Sequence, residues 1–289
     1  HFTKEALGRL GIELLPYTAY GVLNGGSASS YVDLKKNRSF NEALFSLYED
    51  DFNRMAVSYE RKTKGVTPAF RNPDGTPGPS FLELKLRALL LQSYQYAAGH
   101  KKKGPFHVPF FQMTSVLNND ELAAVYTDYA RSPLLAELMK HTGFSMDDIL
   151  TGVQPLIAVY THSGEGRPKR VFDSAYGKAH TPLAMPGGHG QNFFVLKDVY
   201  RTLYERGIRF AFLGNVDNMG FTLHPLALAL TFLSGCDAAF EFSFRTPVDV
   251  KGGVLVQDER GRLDCRDIGA AVGFDDVLAA EKKGKKILF

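Results

Sequence analysis

Cysteine is scarce. Cys236 and Cys265 are the only two in 289 residues, too few for a disulfide framework, so a reducing, cytoplasmic setting is expected. Long apolar runs are missing as well. No stretch reaches the ~18 residues that a membrane-spanning helix needs. The opening HFTKEALGRLGIELL carries charge throughout its apolar part, unlike a secretory signal. Charge of one sign is not in excess either, since 34 Lys+Arg against 31 Asp+Glu leave a formal net charge of +3. So small a balance points away from nucleic acid and from a membrane surface as main partners, and leaves room for an anionic small molecule. Several catalytic signatures are also absent. The eight histidines are scattered and the two cysteines isolated, so no Cys/His metal spacing exists. There is no G-x-S-x-G elbow and no basic-aromatic stripe of the kind that stacks bases. Covalent nucleophilic catalysis has no support.

What is present has the profile of a folded protein, with 44% hydrophobic and 22% charged residues. No linker or repeat interrupts it, and we expect a single domain over residues 1–289. The start at His1 and the stop after KKILF read as part of a longer protein. Short apolar runs alternate with amphipathic segments, which predicts a layered α/β fold with a mainly parallel sheet flanked by helices. Strands are expected at Tyr20–Leu23, His107–Met113, Leu156–Tyr160, Arg209–Gly214, Ala238–Phe242 and Gly253–Val256. Helices are expected at Phe40–Asn53, Ser80–His100, Asp120–Ala130, Asn192–Arg206, Pro225–Leu233 and Asp275–Lys282. Ser80, Asn119 and Asp275 read as helix starts, and Glu83 completes a capping box with Ser80. Arg71–Pro79 and Ser163–Arg170 read as loops.

Four segments carry candidate chemistry. Leu23-Asn24-Gly25-Gly26-Ser27-Ala28-Ser29-Ser30 follows an apolar strand. Its paired glycines let backbone N–H groups approach an anion, although the spacing is neither G-x-G-x-x-G nor a phosphate loop. An ordinary tight turn is the alternative. Pro186-Gly187-Gly188-His189-Gly190-Gln191 places bare backbone before a helix. Asn215-Val216-Asp217-Asn218 ends the strand RFAFLG, where open α/β sheets bind ligands. One carboxylate beside phosphates suits Mg²⁺, and a capping turn is the bland alternative. Asp249-Val250-Lys251-Gly252-Gly253 offers a cation and exposed backbone. Together these make an inventory for nucleotide phosphates and a metal, where catalysis is positioning and charge stabilisation.

Taken in order, the four segments resemble the eukaryotic-type UTP–glucose-1-phosphate uridylyltransferase (UDP-glucose pyrophosphorylase) family. The family's L-N-G-G-L-G-T-x-M-G looks like Leu23–Ser30, its P-P-G-H-G-D like Pro186–Gln191, its N-x-D-N-L-G like Asn215–Gly220, and its R-A-D-V-K-G-G-T-L like Pro247–Leu255. The resemblance implies a Rossmann-like nucleotidyltransferase fold lacking the family's C-terminal β-helix domain. It also implies UTP held by Leu23, Asn24, Gly25, Gly26, Gln154, Gly188 and His189, with Gln154 reading uracil. Asp217 would hold Mg²⁺, Asn215 and Gly252 would face the hexose, and Lys251 would lie near the sugar phosphate. Lys64 in RKTKGVTPAF is the nearest match to the family's lysine after the loop. The sugar 1-phosphate implied is glucose 1-phosphate; the alternatives are an N-acetylhexosamine or broad-specificity enzyme, or a non-catalytic nucleotide-sugar-binding regulator. The S-A-S-S-Y loop and Gln191, where the family has Asp, depart from the pattern.

Overall fold

The computed structural model of the chain describes residues 2–27, 42–59, 62–100, 104–161, 168–246, 249, 252–269 and 271–289. Two compact units emerge, His1–Val32 with Asn53–Leu233, and Asp33–Phe52 with Ser234–Phe289. In chain order the elements are α1 (Lys4–Glu13), β1 (Thr18–Leu23), α2 (Glu42–Tyr59), α3 (Phe81–Gly99), β2 (Phe110–Ser115), α4 (Asn119–Tyr129) and α5 (Ala136–Thr142). Then come β3 (Leu150–Gln154), β4 (Leu156–Ala158), β5 (Ala184–Pro186), α6 (Asn192–Val195), α7 (Lys197–Glu205), β6 (Phe210–Asn215) and α8 (Pro225–Ser234). The last three are β7 (Gly253–Gln257), β8 (Leu263–Asp267) and α9 (Phe274–Lys282).

The larger unit is built on a four-stranded sheet of order β3-β2-β1-β6, parallel throughout. Successive side chains leave a strand on opposite faces, and β1 and β2 use both. Tyr20, Val22 and Phe110 enter a core with Leu82, Leu86, Leu89 and Leu90 of α3. Ala19, Phe111 and Met113 enter a second core with Leu196, Val199 and Leu203. With helices on both faces, β1 and β2 are buried on both sides, and the buried polar side chains of β2 are hydrogen-bonded, Gln112 to Thr151, Thr114 to Asn119 and Ser115 to Asn118. Gly21 belongs to this design, because a Cβ there would lie 2.2 Å from the Phe111 ring.

The expected fold class stands, and several elements are corrected. Ala238–Phe242 forms no strand; its apolar residues find no partner strand and Phe240 stays exposed. The run expected as Leu156–Tyr160 ends at Ala158 and pairs antiparallel with β5, outside the main sheet. The Asn192–Arg206 helix breaks at Leu196, whose side chain is fully buried against Gly152 of β3. Asn118, not Asn119, precedes α4, and its side chain turns away to Ser115 and Asn24. Asp275 lies inside the first turn of α9 rather than capping it. Ser80 does cap α3 by accepting from the Glu83 N–H, but the Glu83 carboxylate pairs with Ser132 instead of closing a box. Most of the Ser163–Arg170 loop lies outside the described residues.

In the smaller unit β7 and β8 pair antiparallel. Val254, Ile268 and Val277 form its small core, and the Arg245 guanidinium meets Glu281 at 2.7 Å.

Candidate functional site

Chain order places the site. From β1 the chain moves outward through β2 to β3, and later returns to the opposite side of β1 as β6. The sheet's topological switch point therefore lies between β1 and β6, and the crevice outside their carboxyl ends is where such sheets bind ligands. Asn24 follows β1, Gln154 ends β3, and Asn215 ends β6 with Asp217 two residues on.

The β1 exit is tightly held. The Asn24 backbone N–H donates to the Met113 carbonyl (2.8 Å), and its carbonyl accepts from Asn118 Nδ2 (2.8 Å). Its Nδ2 donates to Gln112 Oε1 (3.2 Å), while the buried Oδ1 has no hydrogen-bond partner among the described residues. Gly26 then accepts from the Lys64 N–H (3.0 Å), and Ser27 bridges Thr63. That backbone pairing carries Lys64 to the carboxyl edge. Its Nζ lies 3.0 Å from Asp217 Oδ2, with the two side chains 21% and 33% exposed. Two residues some 150 positions apart in sequence thus meet as one ion pair. Gly65 has no room to spare, because a Cβ there would stand 2.2 Å from Asn24 Oδ1. We expect Gly65→Ala to push Asn24 out of its amide contact with Gln112. Overpacking of this kind typically costs about 1–3 kcal/mol, read as a lower urea midpoint together with weakened nucleotide binding.

Gln154 is 3% exposed. Its Nε2 donates to the Gly188 carbonyl (2.8 Å) and to Gln191 Oε1 (2.8 Å). A backbone carbonyl only accepts, so the amide orientation follows from chemistry. Its Oε1 lies on the side of Gly25, 3.5 Å from where a Cβ on that glycine would stand. Gly188 adopts a φ of +86°, a conformation that favours glycine. His189 follows. Partial burial, and then the Lys64 ammonium, draw its pKa below the usual 6.5, with Asp217 opposing. At neutral pH the ring is therefore a neutral group beside the Lys64–Asp217 pair.

The geometry thus gathers Asn24, Gly25, Gly26, Lys64, Gln154, Gly188, His189 and Asp217 in one region of the larger unit, with Leu23 at the end of β1. Asn215 is exposed at the end of β6, its carbonyl accepting from Asn218 (3.1 Å). Gly252 belongs to the smaller unit, has a φ of +136° and packs against the Phe289 ring. Ala28, Ser29, Ser30 and Lys251 lie outside the described residues.

Sequence reasoning missed three contributors. Gln191, noted only as a departure, orients Gln154. Gln112 holds Asn24. Lys85 lies buried beneath the Asp217 turn, and its signal was a cation on the Leu82–Leu86–Leu89 stripe of α3.

The four-stranded parallel sheet flanked by helices is a fold shared with solved UDP-sugar pyrophosphorylases. The uridine diphosphate N-acetylglucosamine pyrophosphorylase from Trypanosoma brucei, solved with an inhibitor, superposes with a TM-score of 0.64 over 91% of this chain and 44% of that one, at 15% identity. A UDP-glucose phosphorylase from Trypanosoma brucei superposes with a TM-score of 0.58 over 96% of this chain and 49% of that one, at 20% identity. Residues 169–279 match the family described as UTP--glucose-1-phosphate uridylyltransferase, and the resemblance read from the motifs is borne out there. A curated relative, UTP--glucose-1-phosphate uridylyltransferase 2 of Dictyostelium discoideum, is 36% identical over 76 residues, which is 26% of this chain and 15% of the relative. The chain thus spans less than half the length of these relatives. Among the described residues, no helix is long and apolar enough to cross a membrane.

Proposed function

We propose that the protein is a uridylyltransferase that makes UDP-glucose and pyrophosphate from UTP and glucose 1-phosphate. The observation that carries this reading is the Lys64–Asp217 pair at the sheet's switch point, beside the Gly25-Gly26 backbone and the held amide of Gln154. A cation, a carboxylate and open backbone at one edge match a nucleoside triphosphate. The segment match over 169–279 supports the uridylyl class.

In this reading a phosphate oxygen of the sugar 1-phosphate attacks the α-phosphorus of UTP in line. The new P–O bond forms as the bond to the β-phosphate breaks, and pyrophosphate leaves with that electron pair. The attacking phosphate is already an anion, so no general base is required. Lys64 offsets the charge spread over the phosphate oxygens, which is where such enzymes gain most of their rate. By the motif resemblance, Lys251 would have the same role towards the sugar phosphate, and Asn215 and Gly252 would face the hexose. The half-exposed Asp217 fits Mg²⁺. No group of three or more His, Cys, Asp or Glu among the described residues could hold a metal, so the remaining ligands would be substrate oxygens and water, as Mg²⁺ commonly takes them. Bound there, it would supply positive charge to the phosphates.

A coupled pyrophosphate-release assay with UTP and a panel of sugar 1-phosphates tests the proposal. Release with glucose 1-phosphate is the expected result. Release only with N-acetylglucosamine 1-phosphate would move the sugar assignment, and UTP binding without release would make the protein a nucleotide-binding regulator.

A further inference from the structure

Lys85 is the one lysine or arginine buried as a whole residue among the described residues. It lies on α3, 2% exposed, on the face that packs into the sheet rather than towards the crevice. An ammonium has three donors, and all three are used. Nζ donates to Tyr20 Oη (3.0 Å), to the Phe221 carbonyl (2.5 Å) and to the Asn218 carbonyl. Tyr20 itself donates to the Phe221 carbonyl (2.6 Å). These carbonyls belong to the turn after β6, whose own bonds run from Asn218 N–H to Asn215 (3.1 Å), Met219 N–H to Asp217 (3.0 Å) and Phe221 N–H to Asn218 (3.1 Å). Asp217 is the residue before one of the clamped carbonyls. The turn is therefore tied from below by a strand tyrosine and a helix lysine, while its carboxylate faces Lys64 above.

Burying a lysine is costly unless something compensates. A methionine would fill the space in this leucine-rich stripe without that cost, so packing alone does not account for a cation here. Desolvation draws the Lys85 pKa down to about 8, with the Asp217 charge pulling it back up, so at neutral pH it is still a three-donor cation.

We infer that Lys85 is a positioning residue that fixes the Asp217 turn through the Asn218 and Phe221 carbonyls, so that the carboxylate is pre-set for the divalent cation of the nucleotide complex. The inference rests on the proposed metal role of Asp217 and adds a residue that touches neither metal nor substrate. Pre-setting of this kind matters because a misplacement of about 1 Å at a reacting centre can cost on the order of 100-fold.

The test is a double-mutant cycle of Lys85→Met and Asp217→Asn, read by Mn²⁺ binding in the presence of UTP (loss of the free Mn²⁺ resonance). Urea stability is measured in parallel. Lys85→Met should weaken Mn²⁺ binding about tenfold in the wild-type background and leave it nearly unchanged in the Asp217→Asn background, as coupled neighbours do. Its stability loss should be the same in both. Tyr20→Phe, which keeps the packing and removes one strut, should weaken Mn²⁺ binding in the same direction and less; it stands in if Lys85→Met does not fold. Unchanged Mn²⁺ binding in the variants, equal losses in both backgrounds, or no Mn²⁺ uptake by the wild type overturns the inference. Pyrophosphate release by the wild type reads the proposed function separately. Coupled Mn²⁺ losses in a protein that releases no pyrophosphate would sink the enzymatic reading and leave the role of Lys85 standing.

Discussion

We expect Asp217→Asn to lower turnover by on the order of 10²–10³ while the protein stays folded, the loss typical when one preorganised electrostatic contributor is removed from a transition state. Asparagine has the same shape as aspartate and keeps one carbonyl oxygen, so the turn after β6 should persist. What disappears is the negative charge facing Lys64 at 3.0 Å. That charge has two uses in the proposed mechanism: it neutralises a divalent cation, and it holds Lys64 at the phosphate edge. The effect on stability is small. The pair is partly solvated, and exposed ion pairs contribute about 0–1 kcal/mol. Steady-state kcat over a Mg²⁺ titration, with a urea melt alongside, separates the two effects. Near-normal Mg²⁺-dependent turnover in the variant would remove Asp217 from the metal role.

The second large effect concerns the base. A free glutamine amide offers a donor and an acceptor to uracil, and could turn over to suit cytosine. In the fold it is not free, because Nε2 is committed to the Gly188 carbonyl and to Gln191 Oε1. The acceptor Oε1 is what remains for a ligand. In the proposed reading uracil would present N3–H to it, whereas cytosine would present a lone pair at N3 and meet repulsion. Gln154→Ala removes that acceptor and also the donor shared by the exposed Gly188 carbonyl and the partly buried Gln191 Oε1, at about 0.5–1.5 kcal/mol for each neutral hydrogen bond lost. We expect kcat/KM for UTP to fall by on the order of 10–100-fold, and the preference for UTP over CTP to narrow. Gln191→Ala is the informative companion. It removes one of the two acceptors of Nε2 and leaves the Gly188 carbonyl in place, so it should narrow the UTP-to-CTP ratio less than Gln154→Ala does and retain more of the UTP activity. A ratio unchanged in both variants would place base reading elsewhere.

Much of this molecule is legible in its sequence because its signals are local. Apolar runs and period-3.6 patterns place β1, β6, α3, α4 and α9 within a few residues. The Gly-rich and Asn-x-Asp-Asn segments mark strand ends without help from the fold. Local signals fail where partners decide. Ala238–Phe242 has strand composition and no strand to pair with. The helix after His189 breaks because Leu196 is drawn into the space left open by Gly152. Asn118 abandons its cap to serve Ser115 and Asn24.

The site divides the same way. Sequence alone pointed to phosphates and a divalent cation as ligands to be tested, since paired glycines, a strand-end carboxylate and scattered lysines are the residue types that chemistry uses. It also named Lys64, Gln154 and Asp217 as separate candidates. Only the tertiary structure decided that Lys64 pairs with Asp217, that Gln191 turns the amide of Gln154, and that Lys85 is structural wiring beneath the turn rather than a solvated charge. The reason is physical. A residue's chemical type is a property of its own atoms, but its protonation, orientation and partner depend on groups brought within about 3 Å. In this chain those groups come from strands and helices tens to more than a hundred residues apart.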